Sequence, residues 1–321
     1  MRWPCGKKSL NRRSVSHWRV AGVVLAAVAT LAGAAPGSPD DLAAPAIAYA
    51  AELDAALAMG DAQRAGVLES QIRSLGADSM PAVERGAQAG NTDARFAAGL
   101  FLSRGLLTAK DTVRACGYFA QAADNGHVAG EYHASLCLLG ADPARAARLM
   151  QEAAARSHPA AQEAIGRACL DRRTRDLDCA VRNLAAAAKA GRPSAQSLFA
   201  WMHSMGVGVE KEPITALALY LVAARQGDLA AQNNLGELYE TGVGSALQKN
   251  PHRAALWYEG AARGGFGPAQ YNLGRLYASG IGVEYDIALA RLWLGKAEAW
   301  GVPAAAELLK QLQSGRRVPP R

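Results

Sequence analysis

The chain is poor in aromatic residues, which make up 6% of its 321 positions, and it has only 14 prolines. Outside the N-terminus it has no run of 18 or more apolar residues, which excludes a polytopic helical membrane protein. The scarcity of proline and the lack of a glycine triplet repeat exclude collagen-like and proline-rich chains. Signatures of catalysis are missing as well. There is no Ser-x-x-Lys, no Gly-x-Ser-x-Gly, no phosphate-binding Walker loop and no Cys-x-x-Cys. Histidines 127, 133, 158, 203 and 252 are scattered, and His127 and His133, six apart, do not share a helical face. No metal and no cofactor are expected. What the chain does have is apolar bulk: half of its residues are hydrophobic, enough to build a core.

The first residues read as an address. Arg2, Lys7, Lys8, Arg12, Arg13 and Arg19 precede the short apolar stretch Val20 to Ala35, which stops at Pro36-Gly37. A basic flank, an apolar run and small residues describe a secretory signal peptide. The run falls roughly four residues short of the ~20 that a spanning helix needs. Cleavage after Ala34 gives a signal at residues 1–34; Ala48-Tyr49-Ala50 offers an alternative end at 50. Retention of the segment as an inner-membrane anchor is the competing expectation.

The overall charge of +7 then loses its meaning. Residues 1–34 hold six of the 35 basic residues and no acid, leaving 29 basic against 28 acidic, or +1. Arg316, Arg317 and Arg321 lie in the tail; without them the count is 26 against 28. A near-neutral body does not carry a nucleic-acid-binding stripe, so no nucleic acid is expected as partner.

A repeat runs through the rest. Ala231-Gln232-Asn233-Asn234-Leu235-Gly236-Glu237-Leu238-Tyr239 returns as Ala269-Gln270-Tyr271-Asn272-Leu273-Gly274-Arg275-Leu276-Tyr277. Weaker copies start at Ala94, Gly130, Ala161, Ala195 and Ala304, at spacings between 31 and 38 residues. A second phrase, two alanines and then a glycine, follows most copies, as at Ala223-Ala224 to Gly227. Gly206-Val207-Gly208, Gly242-Val243-Gly244 and Gly280-Ile281-Gly282 join the two phrases. Apolar residues such as Ala231, Leu235, Leu238 and Tyr239 fall at helical spacing. The glycines supply the positive φ that ends one helix and turns the chain. Asn250-Pro251 fits a capping residue followed by proline in the first turn. One such hairpin cannot bury its own apolar face, so neighbours must stack. The expected fold is all-α: an α/α superhelical solenoid of helix-turn-helix repeats.

These phrases resemble the Sel-one-like repeat family, relatives of tetratricopeptide repeats. The match is strong over residues 229–302, good over 193–228 and partial over 92–192. The expected layout is an N-terminal helical hairpin or cap over 35–77, turning at Gly60-Asp61. About six repeats follow over 78–302, then a capping helix and tail over 303–321. The resemblance implies an adaptor scaffold without catalytic activity. By the related tetratricopeptide pattern it also implies which residues face the concave side: Phe96, Tyr132, Glu163, Arg167, Ser197, Trp201, Asn233, Glu237, Tyr271 and Arg275. Trp201 stands out, because the repeat pattern has no large aromatic there.

Past Cys5 the sequence has four cysteines, which in an exported chain invites two disulfides. Cys116 is ten residues before the turn at Gly126 and Cys137 eleven after it, so they sit at matching heights on antiparallel helices. Cys169 and Cys179 flank Thr174 symmetrically. The expected pairs are Cys116–Cys137 and Cys169–Cys179. The function read from the sequence is an exported, periplasmic or secreted, non-enzymatic scaffold that binds a protein or peptide along its concave face. The membrane enters only through an uncleaved N-terminal segment. The alternative is a cell-wall or polysaccharide-associated protein that binds muropeptide or β-lactam-like ligands.

Overall fold

The structure, a computed structural model, describes residues 42–76, 78–171 and 175–314. The signal segment, most of the Asp171–Thr174 loop and the tail from Gly315 lie outside the described residues. Within them are sixteen α-helices and no strand beyond a single isolated bridge between Val243 and Leu247.

Helices α1 (Ala43–Met59), α2 (Ala62–Ser74) and α3 (Ser79–Gln88) come first. Six helical hairpins follow: α4 (Thr92–Arg104) with α5 (Thr112–Asp124), α6 (Val128–Leu138) with α7 (Pro143–Ala155), and α8 (Pro159–Leu170) with α9 (Leu177–Lys189). The last three are α10 (Pro193–Met205) with α11 (Pro213–Arg225), α12 (Leu229–Thr241) with α13 (Pro251–Arg263), and α14 (Gly267–Ser279) with α15 (Ile287–Trp300). Helix α16 (Pro303–Gln313) closes the stack. From α3 onward each helix packs on the next. Successive first helices also touch, α10 with α12 and α14 with α16, which puts them on the tight inner side of the curve.

Local sequence explains where helices begin. Asp111, Asp142, Asp176, Asp228 and Asn250 each accept the backbone N–H three residues on, at 2.7–3.0 Å. Such a cap satisfies one of the unpaired donors at the helix start. His127 and His158 do the same through Nδ1, toward Gly130 and Ala161. Gly105, Gly206 and Gly280 end first helices in the left-handed conformation.

One pairing recurs at the centre of every hairpin. The eighth residue of the first helix is small and the eighth of the second is large: Gly99 with Phe119, Ser135 with Met150, Gly166 with Leu184, Ala200 with Tyr220, Gly236 with Tyr258 and Gly274 with Leu294. A Cβ on Gly236 would lie only 2.4 Å from the Tyr258 ring, and one on Gly99 2.8 Å from Phe119. The glycine is there so that an aromatic or leucine can lie flat on helix backbone.

Both cysteine pairs are at bonding distance. Cys116 on α5 meets Cys137 on α6 with Cα atoms 5.8 Å apart, and Cys169 on α8 meets Cys179 on α9 at 5.9 Å. His127 and His133 share no helical face but lie against one aromatic ring. His127 sits before α6 rather than on it, so its ring folds back and stacks on Phe96 at 4.4 Å. His133 reaches the same ring at 5.8 Å.

Candidate functional site

Helix α1 decides what the inner face can do. It packs on α4 and α8, the first helices of the first and third hairpins. Between them its Asp54 reaches His133 of α6, and its C-terminal end meets Arg192, the residue that caps α10. Seventeen residues at 1.5 Å per residue give about 25 Å, enough to cross several stacked helices. The first three hairpins therefore carry a helix of their own chain across their inner side.

Small residues make the contact close. Ala46, Ala50 and Leu53 are fully buried and share one apolar cluster with Phe96, Leu100 and Phe119. A polar contact then fixes the register. Asp54 Oδ1 lies 2.9 Å from His133 Nε2, and Oδ2 lies 3.7 Å from His158 Nε2. Because His158 Nδ1 accepts the Ala161 N–H, the proton of a neutral ring sits on Nε2, facing the carboxylate. Burial by itself would raise the Asp54 carboxyl. The hydrogen bond of His133 and the proximity and charge of both His133 and His158 outweigh it and hold the group at about 2.

Arg192 clamps the other end. Its Nη1 donates to the carbonyls of Ala58 at 2.6 Å and Leu57 at 3.3 Å, in the last turn of α1, where Leu57 also accepts the Gly60 N–H. Its Nε donates to Glu163, which also accepts from Arg167 Nε at 2.7 Å. Glu163 is 5% exposed, so this pair is an internal strut. Burial depresses both Arg192 and Arg167 from their usual range.

The ten residues expected on the concave face divide accordingly. Phe96 and Glu163 are buried, Phe96 in the apolar cluster it shares with α1 and Glu163 behind Arg192; neither can meet a partner as the chain stands. Tyr132 is half-buried, stacked on His158 at 4.6 Å, and Arg167 is exposed. Toward α10, the end of α1 reaches the cap at Arg192 and the neighbouring Pro193. From α10 onward Ser197, Asn233 and Arg275 are buried by their neighbours, Tyr271 is half-buried, and Trp201 and Glu237 are exposed.

This open stretch carries a polar ladder. Asn272 of α14 donates to Asn233 Oδ1 of α12 at 3.0 Å, and Asn233 donates to Glu237 at 3.1 Å. Arg275 donates to Glu240 at 2.5 Å, which also accepts the Tyr258 hydroxyl at 2.7 Å. Partial burial raises the Glu237 carboxyl, with Asn233 opposing and Glu240 adding to the shift. Arg275 Nε is buried without a hydrogen-bond partner, a donor left over in the ladder. Among the described residues no group of three or more His, Cys, Asp or Glu could hold a metal ion. No described helix is long and apolar enough to cross a membrane.

Sequence reasoning missed Asp54, His133 and Arg192 as a set. The signals were an aspartate inside an alanine-rich helix, and an arginine where four of the other five hairpins carry Asn, His or Asp as cap.

Comparison with known proteins agrees with this architecture. The family model described as Sel1 repeat matches residues 92–127, 130–158, 193–228, 229–266 and 267–299. A crystal structure of a protective antigen present in uropathogenic Escherichia coli strains, displaying an SLR fold, is 28% identical with a TM-score of 0.61. The alignment covers 74% of this chain but 52% of the antigen, so the chain spans about half of that protein's length. A Sel1 repeat protein from Oxalobacter formigenes is 25% identical with a TM-score of 0.58, covering 78% of each chain. No curated protein matches. Five matched repeats over more than half of the sequence, stacked as helical hairpins, place this chain in the Sel1 repeat family.

Proposed function

We propose that the chain is an exported, non-enzymatic scaffold that binds a protein or peptide segment along the inner face between α10 and α14. The observation that carries this reading is α1 itself. The inner face of the first three hairpins already holds a polypeptide segment, through small apolar residues, one buried carboxylate and a clamp on backbone carbonyls. The same side of the later hairpins offers Trp201, Glu237 and Tyr271 without that cover. Extended inner surfaces of this kind are how stacked repeats engage partners.

Export is supported by the two disulfides, which persist in oxidising compartments. Cleavage after Ala34 is favoured over cleavage after Ala50, because the second cut would fall inside α1 beside the buried Ala46 and Ala50. Mass spectrometry of the mature protein should find Ala35 as its first residue; Ala51, or an intact Met1, would contradict this. For the binding role, the double substitution Trp201→Ala and Tyr271→Ala should weaken capture of the partner from an envelope fraction at unchanged helical content. Undiminished capture would overturn the inner-face reading.

A further inference from the structure

At the edge of the stack, where α14 ends and α15 begins, a cavity of about 580 Å³ opens. That volume falls in the range of ligand sites, roughly 300–1,000 Å³. Its lining includes Tyr277 at the end of α14, Glu284 and Tyr285 in the connecting loop, Asp286 and Leu289 at the start of α15, and His252 in the first turn of α13.

The loop is fixed in place. A Cβ on Gly282 would collide with the Pro251 carbonyl, so the loop backbone lies directly on the first turn of α13. His252 Nδ1 donates to the Gly282 carbonyl at 3.1 Å, which leaves Nε2 of the neutral ring as an acceptor. Asp286 Oδ1 accepts from the Ala288 and Leu289 N–H groups at 2.8 and 2.9 Å, which pins its carboxylate at the helix start.

The chemistry of this lining is one-sided. Two tyrosine rings and Leu289 supply apolar surface, with Tyr285 59% exposed. Glu284, Asp286 and His252 supply acceptors, and among the described residues the lining holds no lysine or arginine. Glu284 is exposed, and among the described residues it has no ion-pair partner. Two neighbouring arginines are engaged elsewhere: Arg253 lies over the Tyr239 ring at 5.9 Å, and Arg291 donates to the Leu312 carbonyl at 3.4 Å. A matching ligand brings cations for the acceptors and flat rings for the tyrosines. Proline meets aromatic-lined grooves in this way, and arginine adds both a charge and a planar face.

Residues 315–321 of this chain, Gly-Arg-Arg-Val-Pro-Pro-Arg, carry three arginines, two prolines and no acid. They leave the fold at the same edge. Helix α16 packs on α15 and runs back toward its start, where Leu312 joins an apolar cluster with Ile287 and Tyr277. Tyr277 belongs to that cluster and to the cavity wall alike. Seven residues at about 3.3 Å each reach about 23 Å from Ser314, against roughly 8–10 Å between packed helix axes. We infer that this cleft is a binding site for an arginine- and proline-bearing segment, and that its occupant is residues 315–321 of the same chain. The site stands or falls independently of binding along the inner face.

The test uses the full mature chain and the fluorescein-labelled peptide Gly-Arg-Arg-Val-Pro-Pro-Arg, followed by fluorescence anisotropy. In the wild type the tethered segment competes with the free peptide. An effective concentration on the order of 1 mM against a Kd on the order of 100 μM weakens the free peptide about tenfold. The triple variant Arg316→Ser, Arg317→Ser and Arg321→Ser should therefore bind the peptide about tenfold more tightly than the wild type. Adding Glu284→Gln or Tyr285→Ala to that variant should weaken binding again, by about fivefold, at unchanged helical content. No binding to the triple variant, or binding that ignores both added substitutions, would overturn the site. Equal affinity for the wild type and the triple variant would overturn the assigned occupant in favour of a segment of a partner protein. A concentration-dependent dimer of the wild type that the triple variant loses would overturn it in favour of a second copy of the chain.

Discussion

Substituting Gly236 by alanine tests the small-against-large pairing that sets the spacing of every hairpin. In an exposed helix interior, glycine to alanine gains about 1 kcal/mol. Here the new Cβ would sit 2.4 Å from Tyr258 Cε1, about 1 Å inside ordinary contact. Overpacking of this kind costs about 1–3 kcal/mol. The ring has no easy retreat. Tyr258 is fully buried, and its hydroxyl is held by Glu240 at 2.7 Å, a bond whose loss inside the fold adds about another 1 kcal/mol. The net is a destabilisation of about 1–3 kcal/mol, or a fall in Tm of about 2–5 °C for a chain of this size. Gly117 on α5 and Gly295 on α15 are the controls. Both are helical, and neither has any atom within 4 Å of an added Cβ. The same substitution there should raise stability by about 0.5–1 kcal/mol. Thermal unfolding followed by circular dichroism separates the cases by sign. A Gly236→Ala variant as stable as the wild type, or more stable, would refute the packing argument.

Other consequences follow from named contacts. Asp54 is held near 2 in the fold, below its unfolded value near 3.8, so the folded chain binds fewer protons than the unfolded one in that range. Its contribution, about 2 kcal/mol, is present above about pH 4 and is lost as pH falls toward 2. In Asp54→Asn, urea midpoints measured from pH 5 to 2 should lose that part of their slope, and an unchanged slope would count against the contact. Replacing Glu163 by Ala leaves Arg192 and Arg167 facing each other in a half-buried site. It should cost about 3 kcal/mol in urea unfolding. Reducing the disulfides, which close 21- and 10-residue separations, should cost about 3 kcal/mol each. Calorimetry with and without reductant reads this directly.

The repeat was legible in the sequence because its signal is local. Ala231, Leu235, Gly236 and Tyr239 lie within one helix, and Tyr258, the partner of Gly236, comes only 22 residues later. The cysteine pairs were legible for the same reason, since each spans a single turn. The burial of Phe96 was not legible, because the helix that covers it is not local. Asp54 meets His133 across 79 residues, and Arg192 meets Ala58 across 134. Repeat register tells which side of a helix faces inward. It does not tell whether another segment of the chain lies on that side. The aspartate in an otherwise alanine-rich helix and the arginine at the α10 cap were the local marks of that contact.

The central claim is that a partner lies on the inner face beyond α1. Photo-cross-linking in the native envelope measures this most directly, with p-benzoyl-phenylalanine placed at one position at a time. Trp201 and Tyr271 sample the inner face, and Val113 and Ile214, 85% and 66% exposed on second helices, sample the outer side. The account predicts adducts of one defined mass from Trp201 and Tyr271 and none from Val113 or Ile214. Adducts from the outer positions with none from the inner ones would contradict it.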